Sequence, residues 1–165
     1  MKISYRKARN SEINKAFEFL KNAALYLKSK GLSQWGYWLD PPEEKIDWII
    51  DGFNKDEFYF ILNYSYIIGM FRILDKDEIY WGDNTDLAQY IHSLVISEEY
   101  KGFRIGENIL KEVIEKSKRN GYDFFRLDCN ASNLKLCKYY ERIGFQKVGE
   151  IKMFHSLNNL YQIKF

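Results

Sequence analysis

A short loop with two glycines and two basic residues is the first pattern that could do chemistry. Lys101, Gly102, Arg104 and Gly106 follow an apolar run typical of a strand, and a helical pattern begins directly after them. The first turn of such a helix leaves backbone N–H groups unpaired at the positive end of the helix dipole, where anionic oxygens bind. The spacing also suits an ordinary turn, and it matches neither GxxxxGK[ST] nor GxGxxG. Both interpretations stay open on these residues alone.

The composition is typical of a globular domain. The chain has 165 residues, of which 46% are hydrophobic and 18% aromatic, so disorder is excluded and a single domain over residues 1–165 is expected. The formal net charge is only +2, which gives no reason to expect nucleic acid or a membrane surface as a partner. The sequence has no pattern of a signal peptide or a membrane span, and we expect a cytoplasmic protein.

The cysteines and histidines do not have the spacing of a metal site. Cys129 and Cys137 lie eight positions apart without a CxxC motif, and His92 and His155 are isolated in the sequence. We therefore expect two reduced, semi-buried thiols, two structural histidines and no metal ion.

Hydrophobic periodicity predicts the elements that must position this loop. Strands are predicted at residues 2–8, 57–63, 66–74, 87–96, 124–129, 145–151 and 160–165, and helices at about residues 11–30, 43–53, 105–120 and 133–143. The segment 75–86 is acidic and turn-rich. This order predicts an antiparallel first half followed by a parallel strand-helix-strand crossover through residues 88–129. The expected class is α/β or α+β, with a mixed, mostly antiparallel sheet of about seven strands and helices on both faces.

Two regions of the second half resemble the GNAT superfamily of N-acetyltransferases. LVISEEYKGFRIGENIL is similar to the motif Gln/Arg-x-x-Gly-x-Gly/Ala after an apolar strand, with Lys101, Arg104 and Gly106 at its three positions. Only Gly106 matches strictly. Further on, RLDCNASNLKLCKYYERIGF is similar in order, spacing and residue type to a second family pattern that ends in Gly-Phe. The resemblance covers about residues 90–149, and in the first 85 residues it is limited to the order of elements.

The resemblance implies a GNAT fold and acetyl-CoA as the co-substrate. Backbone groups of the strand would hold the pantetheine arm, loop amides would hold the pyrophosphate, and Asn133 would bind the amide-bearing arm. The strand residues are Leu94, Val95 and Ile96, and the loop residues are Lys101, Gly102, Phe103, Arg104, Ile105, Gly106 and Glu107. Because Arg104 replaces a family glycine, the loop must keep a compatible backbone with this side chain pointing outward.

Acetyl transfer to an amine needs a stabilised carbonyl oxygen, a proton for the leaving thiolate and an unprotonated nucleophile. By resemblance, Tyr140 would lie near the thioester sulfur as the acid, and strand amides would form the oxyanion site. Asp128 is a candidate base, although it could instead pair with Arg126 on the same side of the strand. A water relay is the alternative base, and the lesser candidates are Glu78, Asp83 and His92.

The acceptor is expected to be a primary amine on a small molecule, attacked directly in a ternary complex. Aromatic and acidic side chains suit a small cation, and the candidates are Trp35, Tyr37, Trp38, Trp81 and Asp83. The aromatic segment could equally cap the sheet or contact a second subunit in a homodimer. Two other functions stay open: a non-catalytic CoA-binding module, and an acetyltransferase acting on a protein N-terminus or another macromolecule.

Overall fold

The computed structural model describes all 165 residues, and one seven-stranded sheet organises them. Its strands are β1 (Ile3–Lys7), β2 (Phe58–Asn63), β3 (Tyr66–Leu74), β4 (Ala88–Ile96), β5 (Phe124–Asn130), β6 (Gln146–Lys152) and β7 (Leu157–Lys164). The strand order is β1-β2-β3-β4-β5-β7-β6. The pair β4 and β5 is parallel, whereas β1 with β2, β2 with β3, β5 with β7 and β6 with β7 are antiparallel. The predicted mixed sheet with one parallel crossover is confirmed.

Five α-helices connect the strands. They are α1 (Ile13–Ser29), α2 (Glu43–Asn54), α3 (Glu78–Trp81), α4 (Ile105–Arg119) and α5 (Leu134–Ile143), and short 3-10 turns lie at Asn10–Glu12, Gly36–Leu39 and Glu98–Tyr100. The sequence predicted no helix in the acidic segment, yet α3 forms one turn there because the Asp77 side chain caps it, accepting a hydrogen bond from the Tyr80 amide at 3.3 Å. None of the helices is long and apolar enough to cross a membrane.

The chain forms two compact units. Unit 1 contains Met1–Ile73 and Ser93–Gly106, and unit 2 contains Leu74–His92 and Glu107–Phe165. The expectation of a single domain therefore stays a prediction.

The core of unit 1 follows from the helical spacing of α1, whose buried residues are Ala16, Phe19, Leu20 and Ala24. This spacing of three and four residues places all four on one face of the helix. They join a buried cluster with residues of α2, β2, β3 and the end of β4.

Unit 2 contains a strand that begins earlier than its polarity predicts. β7 starts at Leu157, not at residue 160, because Leu157 pairs with Lys152 of β6 and extends the antiparallel ladder. Asn158 and Asn159 are polar but buried, at 8% and 6% exposure. Hydrophobic periodicity cannot detect a strand end that buries two amide side chains.

Candidate active site

The last residues of β4 have an unusual backbone. Ser93 has a φ of 54°, in the left-handed region that non-glycine residues rarely adopt. Leu94, Val95 and Ile96 follow it, and a Cβ added at Gly69 of β3 would overlap the carbonyl oxygen of Val95. The predicted oxyanion strand is therefore irregular at its start and closely approached by β3, which requires a glycine there.

The loop before α4 also has left-handed residues. Gly102 has a φ of 86° and Arg104 a φ of 58°, and α4 begins at Ile105, which is buried. Position 104 is where the family motif has its first glycine, and its backbone conformation is one that glycine adopts without strain. An arginine pays about 1 kcal/mol for that conformation. Because this cost is small, an arginine is compatible with the loop. The neighbouring side chain of Phe103 is 57% exposed.

Lys101 is engaged with α1. Its Nζ lies 2.8 Å from the centroid of the Tyr26 ring, a cation-π contact. Burial, with the charge of Lys30 as a smaller cause, lowers the pKa of Lys101. The ammonium predicted to face a phosphate therefore already has an aromatic partner.

Unit 1 contains a groove of about 740 Å³ beside this lysine. Its walls come from α1, the start of β3, the end of β4 and residues 97–101, and include Phe19, Tyr26, Ile68, Val95, Ile96 and Lys101. The lining combines apolar and charged side chains, so the groove can accept a molecule with both characters.

Unit 2 holds three titratable residues close together. Nε2 of His92 lies 2.8 Å from Oδ2 of Asp77, and Nδ1 of His92 lies 3.5 Å from Oδ1 of Asp128. One potential ligand atom from each residue lies within 4.8 Å of the others. In the sequence His92 is isolated and was only a lesser candidate for the base, and nothing in the sequence singled out Asp77.

Asp128 does not pair with Arg126. The guanidinium of Arg126 donates to Asp86 at 2.6 Å, to Tyr90 at 3.1 Å and to Gln162 at 3.1 Å. Asp128 instead accepts from Nδ2 of Asn158 at 2.6 Å. The alternative in which Asp128 pairs with Arg126 is therefore wrong, because residues from neighbouring segments bond both side chains.

Burial raises the pKa of the Asp128 carboxyl, and this effect outweighs the charge of His92 and the hydrogen bond from Asn158, which lower it. A carboxyl with a raised pKa binds a proton more readily than an exposed aspartate. Among the predicted residues, this environment fits a proton acceptor for an amine best.

Tyr140 lies in α5 among other rings. It packs against Tyr139, Phe145 and Tyr161, with ring centroids 5.3, 5.7 and 6.3 Å away. Burial raises its pKa well above that of a free phenol, and the nearby Cys129 adds to this. The phenol is therefore protonated at neutral pH, as a proton donor must be.

The residues around Tyr140 have structural roles. Asn133 caps α5, because its Oδ1 accepts from the Leu136 amide at 3.1 Å. Cys129 and Cys137 are free and buried, with their sulfurs 3.7 Å apart. Both thiols are more buried than the semi-buried residues that the sequence predicted.

The five predicted acceptor residues fall into two groups. In unit 1, Trp38 is buried in the core, and Trp35 and Tyr37 pack against the same cluster. In unit 2, Trp81 packs against a cluster that includes Tyr90, and its buried Nε1 has no hydrogen-bond partner. Asp83 lines a pocket of about 300 Å³ together with Asp75, Asp77, Glu78 and Asp86.

Comparison with known proteins extends these observations. A sequence model of the Acetyltransferase (GNAT) family matches residues 22–145. A search by sequence among curated proteins found no match.

Solved structures are similar over nearly the whole chain. A GNAT-family acetyltransferase from Listeria monocytogenes 4b F2365 is 24% identical, with a TM-score of 0.79 over 99% of this chain and 95% of that chain. One from Streptococcus agalactiae 2603 is 18% identical, with a TM-score of 0.80 over 99% and 95%. The PaiA N-acetyltransferase from Thermoplasma acidophilum, in complex with coenzyme A, is 18% identical, with a TM-score of 0.66 over 100% of both chains.

At these identities the solved structures establish the fold, and the family match over most of the sequence establishes the kind of enzyme. The chain belongs to the GNAT acetyltransferase family and is an acetyltransferase with acetyl-CoA as its co-substrate.

Proposed function

We propose that this acetyltransferase acts as a single domain and transfers the acetyl group to a primary amine of a small molecule, by direct attack in a ternary complex. The observation that carries the acetyl-CoA assignment is the loop before α4, where both Gly102 and Arg104 have left-handed φ. Left-handed residues that alternate with right-handed ones can direct N–H groups toward an anion, and the first turn of α4 adds the positive end of its dipole.

The proposal gives each predicted cofactor residue a role. The backbone groups of Leu94, Val95 and Ile96 bind the pantetheine arm and stabilise the carbonyl oxygen. The loop amides from Gly102 to Glu107 bind the pyrophosphate, Lys101 adds positive charge, and Asn133 binds the amide-bearing arm. Acetyl-CoA supplies an activated thioester carbon when it is bound.

Tyr140 donates the proton that the departing thiolate needs. Its support is the raised pKa, which keeps the phenol protonated, and its place in the matched helix pattern. Asp128 accepts a proton from the acceptor ammonium, which at neutral pH is mostly protonated because alkylamines have pKa values of roughly 10. Its support is a raised carboxyl pKa and one oxygen that faces an imidazole.

A small cationic acceptor is supported by charge and size. Five of the ten residues that line the pocket of about 300 Å³ around Asp83 are acidic, and one is a lysine. Carboxylates attract an ammonium group, and a pocket of this volume suits a small molecule better than a folded protein. A cytoplasmic location and a homodimer remain predictions from the sequence.

Thermal unfolding with acetyl-CoA tests the first part of the proposal. At 1,000 times its dissociation constant, acetyl-CoA should stabilise the protein by about 4 kcal/mol, and free CoA should stabilise it as well. A melting temperature that does not move at high excess of either ligand would remove the assigned loop as their site.

Release of free CoA tests the acceptor. A panel of polyamines, amino acids, aminoglycosides, aralkylamines and peptides should give turnover with at least one small amine and none with the peptides. Turnover with peptides alone would contradict the small-molecule acceptor and favour action on a protein N-terminus.

A further inference from the structure

His92 is held between two acidic residues in unit 2. Its Nε2 lies 2.8 Å from Asp77, and its Nδ1 lies 3.5 Å from Asp128. The side chains are 10%, 3% and 9% exposed for His92, Asp77 and Asp128. The Tyr80 ring lies 5.3 Å from the imidazole. The ring is therefore surrounded by an acidic cap residue and a tyrosine of α3 and by an aspartate of β5.

The hydrogen bonds of Asp77 define the tautomer of His92. One oxygen of Asp77 accepts from the Tyr80 amide and the other faces Nε2, so both oxygens act as acceptors and Nε2 carries a proton. In the neutral ring Nδ1 is then the nitrogen without a proton, and it faces Asp128. A second proton on the ring would reside on Nδ1, and both N–H groups would then point to carboxylates.

The contacts of Asp128 suit proton transfer to or from Nδ1 of His92. Its Oδ2 accepts from Asn158 at 2.6 Å, which leaves Oδ1 facing the ring. The distance of 3.5 Å is long for a hydrogen bond, as is common for proton-transfer pairs without bound substrate.

A shared metal ion fits this arrangement less well. The close spacing of the three residues would suit an ion, but the two ring nitrogens face different carboxylates, and one imidazole coordinates an ion through only one nitrogen. The three side chains thus form a row in which Asp77 is hydrogen-bonded to one ring nitrogen of His92 and Asp128 faces the other.

We propose that His92, with its tautomer set by Asp77, stores the proton that Asp128 takes from the acceptor amine. The inference rests on the proposed role of Asp128. The acceptor ammonium gives one proton to Oδ1 of Asp128 and keeps the electron pair for attack. The proton moves to Nδ1 of His92, and the imidazolium donates to both carboxylates. After the products leave, the stored proton returns through Asp128 to water. His92 and Asp77 act through Asp128 and are positioning residues.

A titration of the histidine ring by NMR tests the inference without any substrate. The chain has only two histidines, so His155→Gln identifies the signals of His92. Asp77→Asn keeps the helix cap, since asparagine caps as well as aspartate, but removes the charge. The midpoint of the His92 titration should then move to lower pH by about one unit or more. An unmoved midpoint would overturn the inference.

Asp75→Asn is the matched control. Asp75 is an acidic residue of the same segment, but it bonds Gln89 at 3.2 Å and Tyr122 at 2.8 Å. Its replacement should leave the His92 midpoint in place. An equal shift in this control would mean that the midpoint of the His92 titration depends on the total negative charge of the segment. The hydrogen bond to Asp77 would then have no special effect on it.

The pH profile of kcat/KM extends the test, with the amine that releases most CoA in the panel. Asp77→Asn and His92→Gln should lower turnover at least about 10-fold, and Asp77→Asn should move the acidic limb to lower pH. Acetyl-CoA affinity should be unchanged.

The outcomes separate the two proposals. Full turnover of Asp128→Asn would show that Asp128 is not the base. That result would contradict this part of the proposed function and the role of His92 that rests on it. If turnover of Asp128→Asn is low but the acidic limb of the pH profile does not shift in Asp77→Asn, only the role of His92 is overturned. Stabilisation by Zn²⁺ that Asp77→Asn abolishes would assign the three side chains to a metal ion and also overturn it.

Discussion

Gly69 and Val95 are so close that no side chain fits between them. A Cβ at position 69 would overlap the carbonyl oxygen of Val95 and lie 3.3 Å from Cα of Ile96. The shape of the last residues of β4 therefore depends on a residue 26 positions earlier in the chain.

Gly69→Ala should accordingly destabilise the protein and weaken acetyl-CoA binding. Overpacking of this kind costs about 1 to 3 kcal/mol, which corresponds to a fall of roughly 2 to 12 °C in melting temperature for a chain of this size. Gly36→Ala is the control, because a Cβ there meets nothing within 4 Å. If Gly69→Ala has the melting temperature and the acetyl-CoA affinity of the wild type, β4 can move away from the added methyl group without loss of stability or binding.

Arg104→Gly should weaken acetyl-CoA binding by about 10-fold, the value of one charge-assisted contact. Its stability should change by no more than about 1 kcal/mol, because relief of the left-handed φ is offset by greater freedom of the unfolded chain. Tyr64→Gly is the matched control, since Tyr64 has a φ of 55° in the turn between β2 and β3. Calorimetry giving unchanged or tighter binding for Arg104→Gly would mean that the arginine is only tolerated.

Tyr140→Phe should lower turnover by about 10²-fold or more while acetyl-CoA still binds. The ring packing remains and only the hydroxyl is lost. Tyr139→Phe serves as the comparison, since burial raises the pKa of Tyr139 to about 12 as well, yet it lies one position away in the helix. Equal losses in both variants would indicate damage to α5, and near-normal turnover of Tyr140→Phe would remove it as the acid.

Asp128→Asn should make the protein more stable at neutral pH. Burial raises the pKa of this carboxyl in the folded state, so ionisation opposes folding. The penalty is absent below the pKa of the unfolded carboxyl, about 4, and grows as pH rises until it is complete above the folded pKa. Melting temperatures of variant and wild type should therefore coincide near pH 3 and separate by pH 7. A variant that melts lower than wild type at pH 7 would contradict this.

The two thiols should react slowly in the native protein. Burial raises the pKa of Cys129, and the neighbouring Cys137 raises it further, so little thiolate is present at neutral pH. Alkylation should label neither cysteine at a rate comparable to free cysteine, and unfolding without reductant should expose two thiols. Fewer than two after unfolding would mean that the pair, 3.7 Å apart, had been oxidised.

The sequence predicted best what depends on burying apolar surface. The apolar spacing of α1 and the two runs of the β2 and β3 hairpin are local signals, and the structure has both elements where they were expected. The motif spacing placed Arg104 where the family has a glycine, and its left-handed φ of 58° is compatible with that position. Periodicity and motif spacing therefore located most elements and the loop, but they missed α3 and the start of β7.

The contacts of His92 could not be predicted in the same way. Asp77 is 15 positions before it and Asp128 is 36 positions after it, so only the folded chain brings the three together. Arg126 illustrates the same limit, because it bonds Asp86, Tyr90 and Gln162 and not the aspartate two positions away. Polar partnerships between separate elements leave no periodic pattern in a sequence.

The backbone of Ser93 has a consequence for attempts to make this enzyme more heat-resistant. A left-handed serine within a strand costs about 1 to 3 kcal/mol, which exceeds the roughly 0.5 to 1 kcal/mol that a glycine loses through its greater freedom in the unfolded chain. Ser93→Gly is therefore a substitution that a search for stabilising changes would select. It would also make the strand free to adopt other shapes just before Leu94. Selection for heat resistance and selection for turnover would therefore favour different residues at position 93.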